Sequence, residues 1–98
     1  MITIVLEQGE SVVSTCGREE NERYLLGRQD SLKLLSQLSD CGYDTFGKDD
    51  MPELIGELQA VRECVGDRDR CHVDQIIALA VRCQAGNGMT LTFTPFGE

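Results

Sequence analysis

The chain has 98 residues, with 9 Lys and Arg against 17 Asp and Glu, and carries a net charge of −8 at neutral pH. That length fits one domain with one modest core, and the 41% apolar and 27% charged composition excludes disorder driven by excess charge. A field of one negative sign opposes nucleic acid and anionic membrane and favours basic surfaces. No run approaches the ~20 apolar residues of a membrane span. The start Met1-Ile2-Thr3-Ile4 lacks the basic flank and long apolar stretch of a signal peptide. A cytoplasmic location is expected.

Ile2, Ile4 and Leu6 alternate with Thr3, Val5 and Glu7, which predicts a half-buried strand. Gln8-Gly9-Glu10 is a turn, and the β-branched run Ser11–Cys16 predicts the second strand of a hairpin. Gly17–Glu22 is a polar turn. Arg23–Leu26 is expected to form a short third strand ended by Gly27. A helix follows from Asp30 or Ser31, whose short side-chain oxygens suit an N-cap, to Gly42, with Leu32, Leu34, Leu35 and Leu38 on its apolar face. Tyr43–Lys48 is expected to be a loop.

The clearest start signal is Asp50-Met51-Pro52-Glu53. Proline suits the first turn, and Glu53 three residues after Asp50 completes a capping-box-like pair. Leu54, Ile55, Leu58, Val61 and Val65 line one helical face up to Gly66. Asp67–Arg70 is a charged connector. Val73, Ile76, Ile77, Ala80 and Val81 mark a third helix over Cys71–Ala85, and Gly86-Asn87-Gly88 stops it. Met89–Thr94 alternates as a last strand, expected to return beside the first. The order β-β-(β)-α-α-α-β predicts a single α+β domain over 1–98, with a small, mainly antiparallel sheet of three or four strands and three helices on one face.

Chemistry-bearing residues are sparse. The five cysteines, Cys16, Cys41, Cys64, Cys71 and Cys83, are odd in number and are expected to be reduced and mostly buried. Cys64, Cys71, His72 and Cys83 lack the short ligand spacing of a zinc site, and adjacent Cys71 and His72 point about 100° apart on a helix. No metal or cofactor is expected. Thiol catalysis requires a Cys within reach of His72, the sole imidazole, which as a helix-start residue is expected to be a cap or surface group. Gly86-Asn87-Gly88 follows a helix, where the dipole repels anions, so it is not a phosphate loop. The arginines fall in two scattered sets with acids nearby, which disfavours direct nucleic-acid binding.

What remains is the segment Asp40–Glu57, where Asp40, Asp44, Asp49, Asp50, Glu53 and Glu57 face one Lys48 and hold −5 of the −8. Tyr43, Phe46 and Met51 sit among them, and aromatics and Met anchor interfaces. A solvated face accounts for such a run too. The candidate partner-binding residues are Asp40, Tyr43, Asp44, Phe46, Asp49, Asp50, Glu53 and Glu57, with Glu19, Glu20 and Glu22 as a second cluster.

From Leu26 to Val65, the succession Leu-Gly-Arg-Gln-Asp, a Leu-rich helix, Gly-Tyr-Asp-Thr-Phe and Asp-Asp-Met-Pro-Glu-Leu-Ile-Gly-Glu-Leu resembles small bacterial proteins of the polymorphic-toxin immunity kind. The resemblance implies an acidic, non-catalytic cytosolic protein that blocks a toxin domain by covering its active site. The expected function is therefore inhibition of a basic protein partner, such as a toxin nuclease. A phage-encoded inhibitor of a nucleic-acid-binding complex, of the anti-CRISPR kind, fits the same features. A small cysteine-dependent redox or thiol enzyme is the catalytic alternative. A subunit that dimerises through an open edge at the first or last strand is a further reading.

Overall fold

The computed structural model describes residues 2–25, 34–35, 38 and 43–94. Strand β1 (Ile2–Gln8) turns at Gly9 into β2 (Ser11–Arg18). Gly9 sits at φ 63, where a residue without Cβ is unstrained. The antiparallel register runs from Ile2 opposite Arg18 to Gln8 opposite Ser11, with a bulge between Leu6 and Glu7. A one-turn helix α1 (Glu22–Leu25) follows. Strand β3 (Asp44–Gly47) leads through a single 3-10 turn at Lys48–Asp50 into α2 (Met51–Cys64). Helix α3 (Asp67–Ala85) and strand β4 (Met89–Thr94) complete an α+β fold whose four-stranded antiparallel sheet has the order β2-β1-β4-β3.

The hairpin and the return of the last strand beside the first are as the sequence predicts, with Thr3 opposite Thr94 and Gln8 opposite Met89. That return has a corollary. The terminal strands occupy the centre of the sheet, so among the described residues its edges are β2 and β3, not the first and last strands. Ile2, Ile4, Leu6, Leu91 and Phe93 face the core with Leu54, Leu58, Val73 and Ile76 from the helices. On the opposite face Thr3, Val5, Thr92 and Thr94 are also buried, so β1 is covered on both sides rather than half-buried.

Four further expectations need correction. Arg23–Leu25, the described part of the expected third strand, is not a strand: the backbone turns at Glu20 and Asn21, and the N–H groups of Tyr24 and Leu25 both donate to the Asn21 carbonyl. A short apolar run carries too little periodicity to separate the two states. Conversely, the expected loop at Tyr43–Lys48 contains β3, in which Phe46 packs edge-on against Phe93 with centroids 5.8 Å apart. Asp50 is the N-cap residue of α2, as expected, but its side chain makes no capping hydrogen bond to that helix; its carboxylate accepts from the Gly47 N–H at 3.3 Å, at the start of the 3-10 turn. Helix α3 begins at Asp67, not Cys71, because Asp67 and Asp69 suit the positive end of the helix dipole and Arg70 Nη1 donates to Asp67 one turn back at 3.1 Å.

The buried face of α3 also sits one step round from the aliphatic stripe. His72, Val73, Ile76, Leu79, Ala80 and Cys83 point inward, while Val81 is 49% exposed. The helix expected over Asp30–Gly42 lies outside the described residues apart from Leu34, Leu35 and Leu38. Among the described residues, no helix is long and apolar enough to cross a membrane.

Candidate functional site

The acids proposed for partner binding do not converge on one patch. Tyr43 is 68% exposed beside Asp44 at the start of β3. Asp44 pairs with Phe93 and Gly47 with Thr90, so β3 separates Asp44 from the Asp49–Glu53 corner by about 10 Å of strand. Asp49 and Glu53 are exposed, and Asp50 is half-buried with its carboxylate turned to Gly47. Glu19 and Glu20 are exposed beyond β2, and Glu22 opens α1. They sit at the opposite edge of the sheet, three strand spacings or roughly 14 Å from β3. Asp40 lies outside the described residues.

Two members leave the docking set altogether. Phe46 is in the core. Glu57 is only 8% exposed, because α2 turns it inward with Leu54, Leu58 and Val61. Both of its oxygens accept from Leu34 N–H, at 3.1 and 3.0 Å, and Oε1 also accepts from Leu35 N–H at 2.9 Å. Glu57 thus ties the segment between α1 and β3 to α2. Its helical position on the apolar side, three residues from Leu54 and one from Leu58, is the sequence signal that marks it as internal.

A second constellation is absent from any linear motif. Arg18, Glu19, Glu20, Arg23, Arg68 and Asp69 line an open cavity of about 540 Å³ where the end of β2 meets the first turn of α3. Arg18 Nη1 donates to the Arg68 carbonyl at 2.7 Å. Asp69 stands 3.5 Å from Arg18 and 3.9 Å from Arg23, longer than a charge-assisted hydrogen bond. Below it, the Tyr24 hydroxyl is buried with no hydrogen-bond partner among the described residues, and burial, followed by the Asp69 charge, pushes it up to about 12.

Behind this cavity lies a buried polar triad. Asn21 is fully buried; its Oδ1 accepts from Ile2 N–H and its Nδ2 donates to the Ile2 carbonyl, both at 2.7 Å. This pairing fixes the amide orientation, so the remaining Nδ2 hydrogen points to His72 Nε2 at 3.2 Å. Because that nitrogen must accept, the proton resides on Nδ1, which donates to Gln75 Oε1 at 3.4 Å. His72 is 3% exposed, neither a cap nor a surface group. Its neutral form is favoured chiefly by burial, with Arg18 acting in the same sense, while the Gln75 bond and Asp69 oppose.

A folded-state pKa below the ordinary 6.5 means the unfolded chain binds the proton first. The contribution of His72 is therefore complete above about pH 6.5 and is lost as pH falls through that value towards the folded pKa. Urea midpoints should fall between about pH 7.5 and 5.5. A midpoint that stays flat would show that the imidazole charges without cost.

The four described cysteines divide by environment, while Cys41 lies outside the described residues. Burial raises the Cys16 thiol to about 11 and also raises Cys83, whose Sγ donates to the Met89 carbonyl at 3.5 Å. Cys64 and Cys71 are exposed. A thiol-reactive dye should therefore modify Cys64 and Cys71 rapidly in the native protein, and Cys16 and Cys83 only on unfolding. Rapid native labelling of Cys16, read by peptide mass, would reverse that order. Among the described residues, no group of three His, Cys, Asp or Glu side chains is placed to hold a metal ion. The chain matches no protein-family model, no curated protein and no solved structure.

Proposed function

We propose that this is an acidic, non-catalytic binding protein that inhibits a basic partner protein by covering its surface, in the manner of an immunity protein against a toxin nuclease. The observation that carries the reading is Tyr43, a large aromatic 68% exposed immediately before the edge strand β3 and followed directly by Asp44. Asp49 and Glu53 extend the acidic surface from β3 onto the first turn of α2. An amphipathic ring supplies contact area at low entropy cost, and the surrounding acids steer a basic surface towards it. Asp44 lies on β3, Asp49 in the 3-10 turn and Glu53 on α2, and regular elements limit the ordering cost of binding.

The catalytic alternative has less support. Burial raises the thiols of the half-buried Cys16 and the buried Cys83, which favours their neutral form, and His72 has both ring nitrogens engaged by Asn21 and Gln75. The same acidic corner suits the basic cleft of a nuclease or of a larger nucleic-acid-binding complex, because both present positive charge for a phosphate backbone.

The test combines affinity capture from the host at low and moderate salt with association kinetics on the captured protein. Asp49→Lys with Glu53→Lys should slow association about tenfold or more at low salt, and Tyr43→Ala should mainly speed dissociation. An unchanged association rate in the folded double variant would remove the β3–α2 corner as the docking surface.

A further inference from the structure

We infer that the cavity between β2 and α3 binds a small phosphate monoester that carries an amine, its phosphate held by Arg18, Arg68 and the Tyr24 hydroxyl and its amine by Glu19. The cavity, about 540 Å³, falls within the ~300–1,000 Å³ typical of small-molecule sites. Three guanidinium groups reach it from three elements: Arg18 from the end of β2, Arg23 from α1 and Arg68 from the first turn of α3. The carboxylates of Glu19, Glu20 and Asp69 line it with them. Equal numbers of opposite charges would cancel if each were paired, but the pairing is incomplete. Asp69 stands 3.5 Å from Arg18 and 3.9 Å from Arg23, and Glu20 stands 3.7 Å from Arg23. Arg68 contributes its backbone carbonyl, to Arg18 Nη1. Among the described residues the Arg68 guanidinium has no hydrogen-bond or ion-pair partner, and neither has the Glu19 carboxylate.

Beneath the cavity lies an orphan donor. Tyr24 is 4% exposed, and its hydroxyl has no hydrogen-bond partner among the described residues. The charges that act on it include those of Asp69, Arg18 and Arg23, all of which line the cavity. A buried hydroxyl without a partner is unfavourable, and an acceptor oxygen brought into the cavity would relieve it. Arg23, with its side chain 66% exposed, is the guanidinium with room to move aside as a ligand enters. Phosphate suits these donors by number. Its three free oxygens take guanidinium and hydroxyl donors from several directions, and guanidinium matches it bidentately. Glu19 sets the other end of the ligand. A carboxylate beside the guanidinium cluster opposes a bare anion and accepts from an ammonium group, so an amine turns a repulsion into a contact. The amine also offsets part of the phosphate charge, which eases approach to a chain at −8.

Titration of the isotopically labelled intact chain with phosphoethanolamine, followed by amide NMR, reads the outcome. Saturable shifts should gather on residues 18–24 and 67–70, with a dissociation constant of roughly 1 mM. Arg68→Gln should weaken binding about tenfold, and it leaves in place the backbone carbonyl that holds Arg18. Arg82→Gln, the same change about 21 Å along α3, should not weaken it. Tyr24→Phe should bind about fivefold more weakly with no loss of stability, since the hydroxyl it removes has no partner among the described residues. Inorganic phosphate alone should bind about tenfold more weakly than phosphoethanolamine, and Glu19→Gln should narrow that gap. Absence of saturable shifts up to roughly 20 mM phosphoethanolamine would overturn the proposal. So would equal effects of Arg68→Gln and Arg82→Gln, native affinity in Tyr24→Phe, or phosphate binding as tightly as phosphoethanolamine. None of these outcomes bears on the basic-partner reading, which uses the opposite edge of the sheet.

Discussion

Glu57→Ala is expected to destabilise the protein by about 3 kcal/mol, measured as a shift in the urea midpoint at unchanged m-value. The substitution strips the acceptors from Leu34 and Leu35 N–H, and Leu35 is 1% exposed, so water cannot readily replace them. A buried donor left unmade costs most of its desolvation penalty, and here two adjacent donors lose one shared carboxylate. Glu57→Gln retains an oxygen for Leu35 but presents an NH₂ group to one of the Leu34 contacts, and should cost about half as much. Glu53→Ala, on the exposed side of the same helix, should change stability by no more than about 0.5 kcal/mol. Equal effects at the two positions would show that Glu57 does not tether the segment it contacts.

Asn21→Ala should cost a similar amount, about 3 kcal/mol, because it orphans the N–H and carbonyl of Ile2 together with His72 Nε2. The sharper test is Asn21→Asp, which changes the sign of a pH dependence. In the native protein the Asn21 NH₂ group faces His72 Nε2 and disfavours its protonation. An aspartate there offers only acceptors, and its charge would raise the folded-state pKa of His72 above the unfolded value near 6.5. Stability contributed by that pair is fully present below about pH 6.5 and lost as pH rises through the raised pKa. The native chain should therefore weaken on acidification across this range and the variant should strengthen. If both weaken alike, the Asn21 and His72 side chains are not coupled as drawn.

These two residues also mark where the sequence stops being informative. Glu57 belongs to an acidic run, and in one dimension it is one more surface charge. Its inward direction follows from the 100° step of α2, which puts it beside Leu54, Leu58 and Val61. That periodicity was available in the sequence; the two N–H groups that make burial tolerable come from residues 22 and 23 positions earlier, and nothing local announces them. His72 is similar. It lies on the buried face of α3, and the donor that satisfies its Nε2 comes from Asn21, 51 positions away. The arginine cavity joins Arg18 and Arg68 across 50 positions in the same way. Periodicity reports one element at a time, whereas hydrogen-bond satisfaction is a property of elements that meet.

Local chemistry did determine several things. The β1–β2 hairpin, the span of β4, the position of α2 and the α+β class follow from alternation, from glycine at a positive-φ turn and from helical spacing of Leu and Val. The net charge of −8 belongs to the sequence alone. Tertiary structure decided which acids remain on the surface, because a carboxylate's exposure depends on what packs over it. It separated Glu19 and Glu20 from Asp44, Asp49 and Glu53 by setting β2 and β3 at opposite edges. It also decided that edge assignment itself: β4 pairs with β1, so the chain's two terminal strands lie inside the sheet and the long, uncharged β2 is left outside. Strand order is fixed by which apolar faces fit together over the helices, and a strand's own residues do not encode its neighbour.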